Sequence, residues 1–105
     1  MHVMQICDAL QRRRHLRFYY KDHLTPTVVE PYTFGENKSG NLVLSAWLIS
    51  GETHDLTPPL WRLYLDEQMR RVEVLETAFE ENRPGYKPND SRFEMVRCRV
   101  APAKP

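Results

Sequence analysis

The sequence predicts a small, mainly β domain in which one N-terminal helix is followed by five or six short strands. Three observations carry that prediction. The hydrophobic period changes from 3.6 residues to 2 at Leu16. Short alternating segments then follow, punctuated by glycine and proline at a spacing of roughly 8–12 residues, as in small barrels and sandwiches. The chain has 105 residues, 41% of them hydrophobic, which suits one domain by the prior of roughly 100–200 residues and a single core of modest stability.

The helix comes first. Val3, Ile6, Cys7 and Leu10 fall at i, i+3, i+4 and i+7 and share one face. Asp8 stands one turn before Arg12 as an i,i+4 pair, and the run Arg12, Arg13, Arg14, His15 closes the helix against its C-terminal dipole. No residue ahead of Val3 is an obvious N-cap. Leu16, Phe18 and Tyr20 then alternate with Arg17, Tyr19 and Lys21 as a half-buried strand. A turn at Pro26 leads to a second strand over Thr27 to Phe34. Pro31 lacks a ladder donor, so it is expected at an edge or a bulge. Gly35 to Asn41 reads as a hairpin loop, with Gly40 taking positive φ.

The third strand, Leu42 to Ile49, is apolar except for Ser45 and is expected to be buried on both faces. Gly51 to Pro59 is a polar loop. A fourth strand follows, with Trp61, Leu63 and Leu65 on one face and Arg62, Tyr64 and Asp66 on the other. Val72 to Leu75 is read as a fifth strand, and Glu80 to Pro88 as a loop turning at Pro84–Gly85. Asp90 is a candidate N-cap for a helical turn over Ser91 to Glu94. Val96, Cys98 and Val100 alternate with Arg97 and Arg99 in a closing strand, and residues 101–105 form a tail. The expected architecture is a partly closed SH3-like or Sm-like barrel over residues 1–100, which hides most strand edges.

The chemistry in the sequence is sparse. No phosphate loop, paired-cysteine metal spacing or nucleophile elbow occurs, so no catalytic residue, metal site or cofactor is assigned and the chain is read as a non-enzyme. His2, His15, His23 and His54 have no ligand spacing and are read as solvated. Cys7 and Cys98 are too few for a disulfide framework. They are read as core thiols in a reducing cytoplasm. No apolar stretch approaches the ~20 residues of a membrane helix, and no signal peptide is evident. Glu73, Glu76, Glu80 and Glu81 are read as a solvated acidic face.

Charge distribution says more than the net charge of +1. Residues 1–21 hold Arg12, Arg13, Arg14, Arg17 and Lys21 against Asp8, a local charge of +4. Residues 66–81 hold six acids against Arg70 and Arg71, a local −4. Tyr19 and Tyr20 lie within the basic segment, and Trp47, Trp61 and Tyr64 on later strands. Arginine beside aromatic rings suits phosphate contact plus base stacking. The candidate ligand residues are therefore Arg17 and Arg62 for phosphate and Tyr20, Tyr64 and Trp47 for stacking, with Arg12, Arg13 and Arg14 supplying long-range attraction.

The chain resembles the WYL domains, regulatory Sm-like barrels named for a Trp-Tyr-Leu signature. The likeness runs from about Ile6 to Phe79: the Asp8-Ala9-Leu10 helix end, a strand ending in Tyr20, the Val29-x-Pro31 step, and Gly40 before Leu42 to Ala46. Arg62, Tyr64, Met69 and Val72 follow the family's later spacing, and Gly85 to Asp90 looks like a tail of some small members. Leu42 and Val43 stand in place of the signature Trp and Tyr, leaving Leu44. Thr27, Leu65 and Gln68 stand where arginines are common. The resemblance implies a ligand-sensing module of bacterial transcription or defence regulation, several members of which recognise nucleotides or single-stranded nucleic acid. The candidate protein partners are a second copy of the chain or a separate DNA-binding regulator. The alternative is a self-assembly module pairing through its basic and acidic ends or its strand edges.

Overall fold

The computed structural model describes residues 1–51 and 56–103; the expectation for His54 beside Asp55 lies outside the described residues. Helix α1 (Val3–Arg12) is followed by β1 (Arg14–Tyr20), β2 (Thr27–Asn37), β3 (Leu42–Ser50), β4 (Trp61–Leu65), β5 (Met69–Ala78) and β6 (Phe93–Arg99), with one 3₁₀ turn over Asp66–Gln68. The strands form one antiparallel sheet in the order β4-β3-β2-β1-β5, and β6 pairs separately with β2.

The sheet is strongly curled. β4 and β5 stand at opposite ends of the five-strand path, about 19 Å apart if the sheet were flat at ~4.8 Å per strand. A three-residue 3₁₀ turn joins them, and such a turn advances only about 2 Å per residue. Curling brings the far ends together: the Leu65 amide of β4 donates to the Tyr20 hydroxyl of β1 at 2.9 Å. Among the described residues no ladder joins β4 to β5, so the strands form one curled antiparallel sheet that is not closed into a barrel.

Helix α1 buries Ile6, Ala9 and Leu10, and the Asp8–Arg12 pair forms at 3.0 Å. Its N-terminus is held from a distance. The buried Asp66 carboxylate takes the His2 main-chain amide and also meets His2 Nδ1, both at 3.1 Å. At the other end Arg13 adopts the left-handed conformation, φ 52°. Its guanidinium turns inward and donates to the Phe79 and Ala101 carbonyls and to Asn82 Oδ1. Arg13 is thus a buried strut whose guanidinium bonds neutral acceptors of its own chain and is not presented at the surface.

β2 is the hub. Thr27–Val29 pair with β1 and Thr33–Asn37 with β6, and Pro31 lies between the two ladders at a register shift against β3. Its missing N–H falls where no second partner requires one. Gly35 to Asn37, expected in a loop, belong to β2. A Cβ on Gly35 would sit 2.2 Å from the Met95 carbonyl oxygen, so β6 crosses β2 where a side chain is absent. The tight turn is confined to residues 38–41, with Gly40 at φ 81°.

β3 is buried from Val43 to Leu48, as expected. β4 keeps the alternation read from the sequence, and its inward face is that of Tyr64, which is buried, while Leu63 is 45% exposed. Curling sends the Tyr64 face of β4 over Phe18 and Tyr20, whose rings lie 5.1 and 5.0 Å away. β5, Met69–Ala78, is more than twice as long as expected and contains a bulge at Arg71, φ 53°. The helical turn expected after Asp90 is instead an Asx turn, in which Asp90 Oδ1 accepts the Arg92 amide at 3.0 Å and β6 starts at Phe93. Three residues leave no room for a helix before the ladder begins.

Two further corrections concern polar groups. Cys7 and Cys98 form a disulfide, with Cα atoms 5.7 Å apart, so they are not free core thiols and no longer argue for a reducing compartment. His2 and His15 are engaged and not solvated: His15 Nδ1 meets Thr77 Oγ1 at 3.0 Å, and its Nε2 lies 3.6 Å from Glu30. Glu30 is buried and forked by Arg83 at 2.9 and 3.0 Å. Among the described residues, no helix is long and apolar enough to cross a membrane.

Candidate ligand-binding site

Three of the five predicted contact residues meet at one place. Tyr20 ends β1, Arg62 and Tyr64 lie on β4, and together with His23, Thr27 and Leu48 they line a shallow depression of about 160 Å³. The alternation of β4 puts Arg62 and Tyr64 on the same face, and the curl of the sheet carries that face to the end of β1. The sequence pattern contained the first fact but not the second.

The site has an aromatic floor. Tyr20 and Tyr64 meet edge to face at 5.0 Å, and Tyr20 also contacts the His23 ring at 6.5 Å. Burial pushes the Tyr64 hydroxyl up to about 12, against the opposing charge of Arg62. Tyr64 therefore stays neutral and cannot serve as a base at ordinary pH. Cations surround the floor. Lys21 Nζ lies 5.6 Å over the Tyr20 ring. Arg70 donates to the Lys21 and His23 carbonyls at 3.0 and 3.2 Å, fixing the turn. Arg62 Nη1 bonds the Trp61 carbonyl at 2.9 Å, and among the described residues it has no carboxylate partner.

The other predicted residues lie elsewhere. Arg17 points from the outer face of β1 and pairs with Glu73 of β5. Trp47 packs on Trp61 at 5.5 Å beneath the Arg83 guanidinium, on the opposite face of the β3–β4 ribbon. Arg12 is paired with Asp8, and Arg14 begins β1 half-buried. Lys21 and His23 were not singled out as contacts. The only signal for them was their adjacency to Tyr20 in a turn, which does not tell which way the turn folds. Thr27, where the resemblance places an arginine, does line the depression.

Among the described residues no group of three or more His, Cys, Asp or Glu side chains is placed to hold a metal ion. In comparisons with family models, curated proteins and solved structures, the chain matches none.

Proposed function

We propose that the chain is a non-catalytic sensing module that binds an anionic ligand, a nucleotide or a short single strand, at the Tyr20–Arg62–Tyr64 depression. In this reading the curled sheet is an incompletely closed Sm-like barrel of WYL type. Its support is the strand order with β5 beside β1, together with the residue order set out above. The observation that carries the proposal is the meeting of two tyrosines and an arginine from distant parts of the chain around one depression. Its size suits a single planar base. The phosphate then lies at the rim, where Arg62 and Lys21 meet it as charged donors.

The test is a titration with mononucleotides and with fluorescent oligothymidylate at several salt concentrations. Affinity for the strand is expected to fall steeply as salt rises. Arg62→Ala is expected to weaken binding by about tenfold, the scale of one charge-assisted contact. A preference for mononucleotides over the strand, or the reverse, identifies the ligand. Binding that ignores salt and survives Arg62→Ala together with Tyr20→Ala overturns the proposal.

The electrostatic argument for self-assembly is weakened where the two charged segments meet within one chain: β1 and β5 are neighbouring strands, and Arg17 pairs with Glu73 across them. The reading now rests on the open outer edges of β4 and β5. Sedimentation at high concentration tests it, a strictly monomeric protein counting against it.

A further inference from the structure

A second cavity, of about 300 Å³, lies on the opposite face of the β3–β4 ribbon beneath the segment 85–92. That volume falls at the lower end of small-molecule sites. Its floor holds two hydroxyls at paired positions of β2 and β3, Thr33 and Ser45. Both are buried in the middle of the sheet, Ser45 being only 5% exposed. Thr33 bonds the Tyr86 hydroxyl. Ser45, the polar residue that interrupts the apolar run of β3, has no side-chain hydrogen bond among the described residues and borders the cavity. Among the described residues no buried side-chain oxygen is left without a partner, so the Ser45 hydroxyl is reached from the cavity and can bond whatever occupies it.

The walls are aromatic. Trp61 and Tyr86 both pack on Tyr32, with centroids 4.9 and 5.1 Å from it. Each is fixed: Trp61 Nε1 donates to the Pro84 carbonyl at 2.8 Å, and the adjoining segment is held by Arg99 Nε on the Pro88 carbonyl at 2.8 Å. Gly85, at φ 91°, keeps the wall open, since a Cβ there would approach Trp61 Nε1 to 3.0 Å.

Among the described residues the rim carries one lining cation in no direct ion pair, Lys87, whose charge reaches Asp90 only from beyond contact distance. Arg92 and Asp90 neutralise each other in a fork, with Nη2 to Oδ2 at 2.6 Å and Nε to Oδ1 at 3.0 Å. Lys87 is exposed and has no ion-pair partner among the described residues. Planar walls, a free hydroxyl on the floor and a single cation at the mouth together specify a ligand.

We infer that this cavity binds a small planar aromatic monocarboxylate, its ring between Trp61 and Tyr86, its polar edge on the Ser45 hydroxyl and its carboxylate on Lys87. A single lysine matches a single negative charge. A phosphate dianion calls for more donors than the rim leaves unpaired. The site is separate from the Tyr20–Arg62–Tyr64 depression and does not depend on its role.

The experiment is an NMR titration of the oxidised protein with benzoate and indole-3-carboxylate, each against its neutral amide. The Trp61 indole N–H, identified by its loss in Trp61→Phe, is the reporter. Saturable shifts at Trp61, Ser45 and Lys87 are expected, with the carboxylate bound about tenfold tighter than the amide, the scale of one charged hydrogen bond. Lys87→Met is expected to abolish that tenfold preference. Ser45→Ala is expected to weaken carboxylate and amide alike, and Arg17→Gln, which removes the same net charge far from the cavity, to change nothing. The inference is overturned by absent saturation up to about 10 mM, well past the millimolar range of weak sites. Equal affinity for acid and amide, or a preference that persists in Lys87→Met, overturns it equally.

Discussion

Asp90 and Arg92 show how two turn residues, separated by one residue, set a local stability. The Asp90 carboxylate accepts both the side chain and the main-chain amide of Arg92, and the fork holds its carboxyl below the usual carboxylate range. The folded chain therefore binds this proton more weakly than the unfolded chain does. The stabilisation is complete above the unfolded value of about 4 and is lost as pH falls through the folded one. Arg92 is half-exposed, so the effect is expected to stay below about 1 kcal/mol. Urea midpoints between pH 2.5 and 7 are expected to fall less steeply on the acid side in Asp90→Asn than in the parent. Parallel acid limbs would show that the fork contributes nothing. Arg13 acts differently. It occupies an αL conformation that costs a non-glycine residue about 1 kcal/mol or more, offset by its three inward hydrogen bonds and its contact with the Phe79 ring.

Among the elements, β6 depends most on a single residue of another strand. It has no partner other than β2 in the sheet, and it approaches β2 where Gly35 has no side chain. Gly35→Ala drives a Cβ into the Met95 carbonyl, a backbone atom that no rotamer change can move. A loss of at least about 2 kcal/mol is expected, in the range of overpacking. Hydrogen exchange should show the loss first over Phe93–Arg99 and last over β3. Unchanged protection in β6 would mean that the strand shifts freely, and that the close approach is not a constraint. The same view explains Pro31, which interrupts β2 where its flanking partner changes from β1 to β6.

At the scale of the whole molecule, the Cys7–Cys98 bond ties the first element to the last across 91 residues. In the loop-closure account a bond of that span stabilises by about 4–5 kcal/mol, through the unfolded chain. Thiol titration of the unreduced, denatured protein is expected to find no free cysteine. A dithiol reductant should lower the urea midpoint sharply, while Cys7→Ala/Cys98→Ala starts low and is indifferent to reductant. Two titratable thiols in the unreduced protein would disprove the bond. Ordering of the whole also brings parts of the two charged segments together, because β1 and β5 lie side by side and Arg17 pairs with Glu73.

Much of this was legible in the sequence for one physical reason: local periodicity reports which side of an element is apolar. The helix face, the β1 alternation, the buried β3 run and the Pro31 bulge all follow from residues within a few positions of one another. The pairing of Tyr20 with Tyr64, the inward turn of Arg13, the choice of which face of β4 is buried and the joining of Cys7 to Cys98 do not. Each depends on how far the sheet curls and on which strands it brings together, and that is set by packing across the whole domain. Sequence alone determined a mainly β domain with one leading helix and named Tyr20, Arg62 and Tyr64 as candidates. Only the tertiary structure put those three around one depression and sent Arg17 and Trp47 elsewhere, because a side chain's neighbours across a curled sheet are chosen by the curl and not by the chain.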